Sequence, residues 1–279
     1  MANTGKLLAF SRTVWAHAPL GLALVLGSVL GSLLAAQNTA AHADDAGWQA
    51  LFNGKDLSGW QMKFAGRPLG ENYKNTFRVE DGVIRANYDD YQAFEGRFGH
   101  LFWQTPYSNY RLRFEYRFTG HQTAGAPGWA FRNSGVMVHA QAPESMTTDQ
   151  DFPVSIEVQL LGQQGSDARP TGNVCTPGTH IHIDGKLVKD HCITSRAGTH
   201  TGDDWVHAEV VVRGGALIQH LINGELVMEY SHPQYDLLEP DTRNLKPALA
   251  DLSQGYIAFQ AESHPVEFRN IYLKLLDTE

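Results

Sequence analysis

The sequence predicts an all-β fold in which two antiparallel sheets form a sandwich or jelly roll. Segments that alternate between apolar and polar residues recur along the chain, and alternation with a period of two is typical of strands. Gly-rich turns separate these segments, and helical periodicity is nearly absent after residue 44. Many short strands joined by such turns indicate a two-sheet β-fold.

The first clear strands lie between residues 77 and 118. Residues 110–118 alternate almost perfectly, with aromatic and aliphatic side chains on one side and charged side chains on the other. Residues 77–86 predict a hairpin around Asp81-Gly82, because Asp-Gly accepts the positive φ of a tight turn.

The second half of the chain predicts at least five more strands. Residues 208–230 divide into three strands, with turns at Gly214-Gly215 and Asn223-Gly224. Residues 255–263 and 266–276 add two more. Neither an internal repeat nor a linker-like stretch interrupts this pattern, which favours one domain.

The charge distribution excludes one class of partner. The 279 residues carry a formal net charge of -8, and no basic run occurs anywhere. Nucleic-acid binding needs clustered Lys and Arg to neutralise phosphates, so no nucleic-acid partner is expected.

The N-terminal residues predict an export signal. Lys6 and Arg12 precede an apolar run at 18–36, and Ala41-His42-Ala43 fits a signal-peptidase site. We therefore predict a signal peptide over residues 1–43, a single mature β-sandwich domain over 44–279, and a periplasmic or secreted protein that has no membrane partner after signal removal. The run is also long enough for a membrane anchor, which is the alternative.

The sequence contains two cysteines, Cys175 and Cys192. An even count in an oxidising compartment predicts one disulfide between them. The alternative is a pair of unrelated buried thiols.

Three predicted strands carry polar residues opposite an apolar row, in the segments 133–140, 155–162 and 256–263. Such a face is either an outer surface in contact with water or the floor of a ligand cleft. The candidate cleft residues on these strands are His139, Glu157, Gln159, Gln260 and Glu262, with Trp129, Arg132 and Asn133 adjoining.

The surroundings of Glu157 argue against a conventional jelly-roll glycosidase. Enzymes of that kind place carboxylates along one strand as Glu-x-Asp-x-x-Glu, because retaining cleavage needs a nucleophile and an acid/base close together. Here the three positions are Glu157, Gln159 and Gly162, so the orienting Asp and the second carboxylate are missing.

Several segments resemble one protein family. These are LFNGKDLSGW, FRVEDGVI, NSGVMVH, IEVQLLG, GNVCTPGT, DDWVHAEVVVRGG, INGELVMEY and GYIAFQAESHPVEFRNIYLKLL, which run in order from about residue 48 to 276. Together they are similar to the secreted 3-keto-disaccharide hydrolases. The resemblance implies a concanavalin A-like sandwich and a carbohydrate ligand, namely an oxidised di- or oligosaccharide or glycoside whose sugar bears a ketone at its third carbon.

The implied chemistry does not need a second carboxylate on the same strand. A ketone acidifies the proton on the neighbouring carbon, so a base can remove it and the glycosidic oxygen can leave by elimination. The reaction needs a base, a stabiliser for the enolate and a proton donor.

The cleft residues supply candidates for each role. The base is Glu157 or His139, and the acid is Glu262 or His264. Arg132 and Asn133 would stabilise the enolate or bind hydroxyls, Gln159 and Gln260 would bind sugar hydroxyls, and Trp129 would stack on a pyranose ring or else cover the core.

No cofactor is required by this chemistry, but a divalent metal ion is an open alternative. His180 and His182 share a strand face, and His139 could join Glu157 and Glu262 in binding a cation. Two other functions also stay open: a non-catalytic carbohydrate-binding sandwich and the conventional glycosidase.

Overall fold

In the computed structural model, which describes residues 46–245 and 251–277, the chain is almost entirely β-structure. Its strands are β1 (Trp48–Ala50), β2 (Trp60–Phe64), β3 (Phe77–Glu80), β4 (Val83–Ala86), β5 (Gly99–Trp103), β6 (Asn109–Phe118), β7 (Asn133–Ala140), β8 (Ile156–Leu161), β9 (Asn173–Cys175), β10 (Thr179–Ile183), β11 (Lys186–Val188), β12 (Cys192–Ile193), β13 (Val206–Arg213), β14 (Leu217–Ile222), β15 (Glu225–Tyr235), β16 (Tyr256–Ala261) and β17 (Val266–Leu275). A short helix, α1, spans Pro240–Leu245, and 3-10 turns occur at Tyr73–Asn75, Gly128–Ala130 and Pro143–Ser145.

Within the described residues the strands form two antiparallel sheets. The larger sheet has the order β11-β10-β15-β14-β13-β6-β17-β4-β3, with β1 paired to β17. The smaller sheet has the order β12-β9-β8-β7-β16-β5-β2. The predicted all-β, two-sheet jelly-roll sandwich is confirmed.

The core lies between the sheets and is rich in aromatic side chains. Phe114 of the larger sheet meets Phe259 of the smaller sheet edge to face, with ring centroids 5.3 Å apart, and Phe259 also packs on Phe268 at 4.7 Å. All three side chains are fully buried. Burial of one such side chain stabilises the fold by roughly 1.5–3 kcal/mol.

The predicted strands and turns match the structure closely. Residues of β6 alternate between buried and partly exposed along its whole length, as the sequence pattern requires. Asp81 and Gly82 turn between β3 and β4 with φ values of 51° and 76°, and Asn223 and Gly224 make the β14–β15 turn with 51° and 83°. Asn, Asp and Gly tolerate this left-handed region better than other residues do.

The central strand β7 of the smaller sheet is buried on both faces. Every residue of β7 is buried, although only alternate residues can face the core between the sheets. Loops must therefore cover the face of the smaller sheet that points away from the larger sheet, which we call the outer face. This covered outer face carries the candidate site.

The predicted signal peptide, its cleavage site and the apolar run at 18–36 lie outside the described residues, so export, processing and the domain boundaries stay predictions. No helix among the described residues is long and apolar enough to cross a membrane.

Candidate functional site

Glu157 lies on the outer face of the smaller sheet, near its centre. It is in register with Met137 on β7 and with Cys175 on β9, while Ile156 and Val158 on either side of it point into the core. Its side chain is only 7% exposed. Glu157 is therefore neither a core residue nor an ordinary surface residue, but part of a covered cleft.

A cavity of about 420 Å³ opens above this part of the sheet. The residues that line it are Trp129, Asn133, Phe152, Glu157, Gln159, Leu161, Arg169, Cys175, Pro177, His191, Cys192 and Glu262. The structure thus brings together Trp129, Asn133, Glu157, Gln159 and Glu262 of the residues predicted from sequence.

Gly135 makes room for the Glu157 side chain. Gly135 lies on β7 beside Gln159, and a Cβ built on it would lie 2.8 Å from Cδ of Glu157. The carboxyl group therefore lies across the β7 backbone, towards β16. Any side chain at position 135 would displace it.

Glu262 is the second acid of the cavity and follows the last residue of β16. It is 3% exposed, and its Oε2 is buried without a hydrogen-bond partner. A buried polar atom without a partner costs free energy, so such groups often mark a place where a ligand binds.

Burial keeps both acids protonated at pH values well above those at which a carboxyl group ordinarily ionises. Desolvation raises the pKa of Glu157 to about 8. Desolvation also raises the pKa of Glu262 well above its ordinary value, and the nearby Glu157 charge raises it further. The charge of one acid opposes ionisation of the other, so the two acids titrate as a coupled pair.

Arg169 supplies the positive charge of the cavity and partly offsets this effect on Glu262. Its guanidinium donates to the carbonyl oxygens of Gly162 at 2.7 Å, Arg132 at 3.0 Å and Trp129 at 3.1 Å. These bonds fix its orientation. Sequence reasoning missed Arg169, because it lies in a loop where no periodicity indicates which way a side chain points.

A chain of hydrogen bonds orients Gln159. The amide of Asn173 donates to Oε1 of Gln159 at 2.9 Å, and Oδ1 of Asn173 accepts from the backbone nitrogen of Ser195 at 2.9 Å. The side-chain oxygen of Gln159 therefore already accepts a hydrogen bond, which leaves the side-chain NH₂ group to donate to a ligand. A fixed neutral donor suits a sugar hydroxyl or a ketone oxygen.

Aromatic side chains form one rim of the cavity. Trp129 is 54% exposed and stacks on Phe98, with ring centroids 5.9 Å apart and an interplanar angle of 11°. Phe98 in turn packs against Phe152 at 4.7 Å. Trp129 is thus supported on one face and exposed at the cavity mouth, a geometry suited to stacking on a sugar ring.

The predicted disulfide is confirmed and forms part of the cavity wall. Cys175 on β9 and Cys192 on β12 are directly paired and bonded to each other. Because Cys175 neighbours Glu157 on the sheet, the bond holds β12, and with it the preceding His191, beside the acid.

The structure places His139 outside the cavity. Its Nε2 lies 3.0 Å from the backbone oxygen of Gly214, in the turn between β13 and β14 of the larger sheet. His139 leaves the predicted cleft face because it has a φ of 50°, which breaks the strand alternation. Burial lowers the pKa of His139 to about 4, so the ring is neutral.

Three other candidates also lie away from the cavity surface. Arg132 points to the 201–203 loop, where it pairs with Asp203 at 3.0 Å, although its carbonyl oxygen helps hold Arg169. Gln260 is on the outer face but fully buried, and its amide has no partner. His264 is buried against Phe131, with centroids 4.9 Å apart, and burial lowers its pKa to about 4.

No group of three or more His, Cys, Asp or Glu residues within 46–245 and 251–277 is spaced to hold a metal ion. The rings of His182 and His232 pack edge to face, with centroids 5.7 Å apart. His180 pairs with Asp236 instead.

The fold and this cavity define a two-sheet β-sandwich protein with a covered cleft that holds two buried acids. The match to a family model then makes the assignment specific: residues 47–274 match the 3-keto-alpha-glucoside-1,2-lyase-like domain, and the chain belongs to that family. No curated protein matches the sequence.

Solved structures resemble the chain in fold. One is a protein from Parabacteroides distasonis assigned only provisionally as a glycosyl hydrolase, with 19% identity, a TM-score of 0.49, and coverage of 83% of this chain and 94% of that one. Another is a protein of unknown function with a galectin-like fold from Bacillus subtilis, with 10% identity, a TM-score of 0.47, and coverage of 78% and 90%.

Proposed function

We propose that this protein cleaves glycosides whose sugar carries a ketone at C3, by removing the proton at C2 and eliminating the glycosidic oxygen from C1. The observation that carries the proposal is the buried pair of Glu157 and Glu262 in one cavity with Arg169. Family membership supports the same reaction class.

The first step is proton abstraction. Glu157, in its ionised form, takes the C2 proton, and the electrons of the C–H bond form an enolate with the ketone oxygen. Glu157 suits this role because its raised pKa of about 8 makes it a stronger base than an ordinary carboxylate. Burial beside Gly135 fixes its position over the substrate face.

The enolate needs a fixed positive charge or hydrogen-bond donors. Arg169 is oriented by three backbone carbonyls, and the free NH₂ of Gln159 lies in the same cavity. Donors that are already in place before reaction stabilise developing charge without reorganisation.

Elimination then breaks the C1–O bond and forms a double bond between C1 and C2. The departing oxygen takes a proton from Glu262, whose pKa burial and the Glu157 charge raise well above its ordinary value. Water adds to C1 of the unsaturated keto sugar and returns a proton to C2, which gives the hydrolysis product.

The sequence around Glu157 disfavours a conventional retaining glycosidase. That mechanism needs a nucleophile and an acid/base held close together, which jelly-roll glycosidases place on one strand. Here Gln159 and Gly162 occupy the positions of the other two acidic residues of that strand.

The test is incubation of the mature protein with a 3-keto-disaccharide and with its unoxidised parent, side by side. We expect sugar release from the keto form alone, both before and after dialysis against a chelator. Cleavage of the parent at a similar rate would point to the conventional glycosidase, and binding without cleavage of either would point to a carbohydrate-binding module.

A further inference from the structure

Ser263 has an unusual backbone conformation directly after the proposed acid, Glu262. Its φ is 93°, whereas the other non-glycine residues with positive φ in the described part of the chain lie between 41° and 53°. A value of 93° falls outside the small left-handed region open to residues with a Cβ, and glycine is the residue that adopts it readily. The strained residue therefore lies where the chain leaves the cavity and turns towards β17.

Four hydrogen bonds hold Ser263 in this conformation. Its backbone nitrogen donates to the hydroxyl of Tyr88 at 2.8 Å, and its Oγ accepts from Nε2 of Gln122 at 3.0 Å. Its carbonyl oxygen accepts from the backbone nitrogen of Thr123 at 3.0 Å and from Oγ1 of Thr123 at 2.9 Å. A strained conformation persists only where the surrounding structure fixes it in this way. We call Tyr88, Gln122 and Thr123 the Ser263 clamp.

The Ser263 clamp also joins two sides of the cavity. Nε2 of Gln122 donates to the carbonyl oxygen of Pro127 at 3.0 Å, two positions before Trp129. The loop that carries the Trp129 rim is thus bonded to the segment that carries Glu262. Strained residues held by several contacts are typical of sites where a neighbouring group must be placed accurately.

Glu262 depends on this backbone for its direction. Its Oε2 is buried in the cavity wall without a hydrogen-bond partner, so no such bond fixes that end of the carboxyl group. Each polar heavy atom of Ser263, by contrast, has a partner, and the residue is fully buried. The rigid part of this segment is therefore Ser263, and the acid is carried by it.

We propose that Ser263 is a positioning residue, and that its clamped conformation aims Glu262 at the departing glycosidic oxygen. The inference rests on the proposed function, because it takes Glu262 as the proton donor of the elimination. A general acid matters most when the leaving oxygen is strongly basic, as in a sugar alkoxide. It matters least when the leaving group is stable as an anion, as nitrophenolate is. Loss of the clamp should therefore slow the release of a sugar and spare the release of nitrophenolate.

The test compares two substrates with the same 3-keto sugar, joined to a hexose or to nitrophenol. Gln122→Met with Thr123→Val removes the side-chain donors of the clamp and nearly keeps side-chain size. We expect kcat for the hexose substrate to fall about tenfold or more, since small misplacements of a catalytic group cost up to about 10²-fold. The kcat for the nitrophenyl substrate should stay close to that of wild type.

Ser108→Ala is the matched control for the loss of a side-chain hydrogen bond. It removes the bond from Oγ of Ser108 to the carbonyl oxygen of Ser253, 2.8 Å long, and neither residue lines the cavity. Both substrates should react with this variant as they do with wild type. An equal loss on both substrates in the clamp variant, or no loss on either, would overturn the proposal.

A second pair of variants isolates the backbone conformation. Ser263→Ala and Ser263→Gly both remove Oγ and its bond from Gln122, but only Ala keeps a Cβ that opposes a φ of 93°. Without that bond the strained Ala variant can relax, whereas the Gly variant has no strain to relieve. Ser263→Ala should therefore release the hexose about threefold or more slowly than Ser263→Gly, with similar release of nitrophenolate. Equal release of the hexose by both variants would show that the conformation of Ser263 does not aim the acid.

Failure of the proposed function would look different. If wild type turns over neither 3-keto substrate, the elimination chemistry is wrong. NMR titration of isotope-labelled glutamate carboxyls in wild type and in the clamp variant then tests the positioning by itself. The variant should bring the pKa of Glu262 down towards its ordinary value, because a carboxyl group that leaves its buried position gains contact with water. The same Glu262 pKa in both proteins would refute the proposal.

Discussion

The Glu157 carboxyl group lies across Gly135 of the neighbouring strand, where a Cβ would come within 2.8 Å of Cδ. The two residues lie on adjacent strands of the outer face, at the floor of the cavity. The position of the proposed base thus depends on the absence of a side chain one strand away.

Gly135→Ala should therefore impair catalysis by displacing Glu157. The φ of Gly135 is not in the left-handed region, so the backbone accepts Ala and the main effect is steric. Small misplacements of catalytic groups cost up to about 10²-fold in rate, and we expect kcat to fall at least tenfold. Gly198→Ala is the matched control, because a Cβ there meets nothing within 4 Å. Equal kcat in both variants and wild type would show that the carboxyl position is not critical.

Glu157→Gln should keep the shape of the site and remove its base. We expect turnover of a 3-keto substrate to fall by roughly 10²–10⁴-fold, the usual contribution of a general base. Substrate binding, measured by calorimetry, should survive. Glu225→Gln, on the exposed start of β15, controls for the loss of a negative charge. Near-normal turnover in Glu157→Gln would exclude this residue as the base.

Glu157→Gln should also stabilise the fold at alkaline pH. An unfolded chain releases the Glu157 proton near pH 4.5, whereas the folded chain keeps it until about pH 8. Between these values the native state binds more protons, so wild-type stability falls as pH rises. The variant lacks this loss and should gain a few kcal/mol over wild type by pH 9, but much less at pH 4. Denaturant unfolding at both pH values measures the difference; a gain that is independent of pH would contradict the raised pKa.

Removal of the disulfide should affect both stability and activity. The bond joins residues 17 apart in sequence, and the chain-entropy model gives about 3 kcal/mol for a loop of this size. Cys175→Ser with Cys192→Ser should lower the free energy of unfolding by about that amount and raise KM, since both residues line the cavity. A lower free energy of unfolding together with an unchanged KM would show that the bond does not shape the site.

The fold could be predicted because its signals are local. The alternation in β6 and the Asp81-Gly82 turn depend on neighbouring residues alone, and both match the structure. The same alternation placed Glu157 and Gln159 on one face, and burial of β7 on both sides shows that loops cover this face.

The rest of the site depends on contacts that sequence patterns do not encode. Arg169 is held in the cavity by carbonyl oxygens of residues 162, 132 and 129, which lie 7, 37 and 40 positions earlier in the chain. His139 leaves the cleft face because of a single positive φ, which a His residue gives no reason to expect. Gln260 lies on the predicted cleft face, but the surrounding residues bury it completely.

The central claim, that the reaction breaks the C2–H bond, is tested most directly with a 3-keto-disaccharide carrying deuterium at C2. The label is followed by mass spectrometry of the released keto sugar in ordinary water, with an enzyme-free sample correcting for spontaneous exchange. The account predicts that the wild-type protein removes the deuterium in every turnover. A released keto sugar that retains the deuterium and forms with the same kcat/KM as the unlabelled substrate, hence without a primary isotope effect, would show that cleavage occurs without proton abstraction at C2, which would contradict the account.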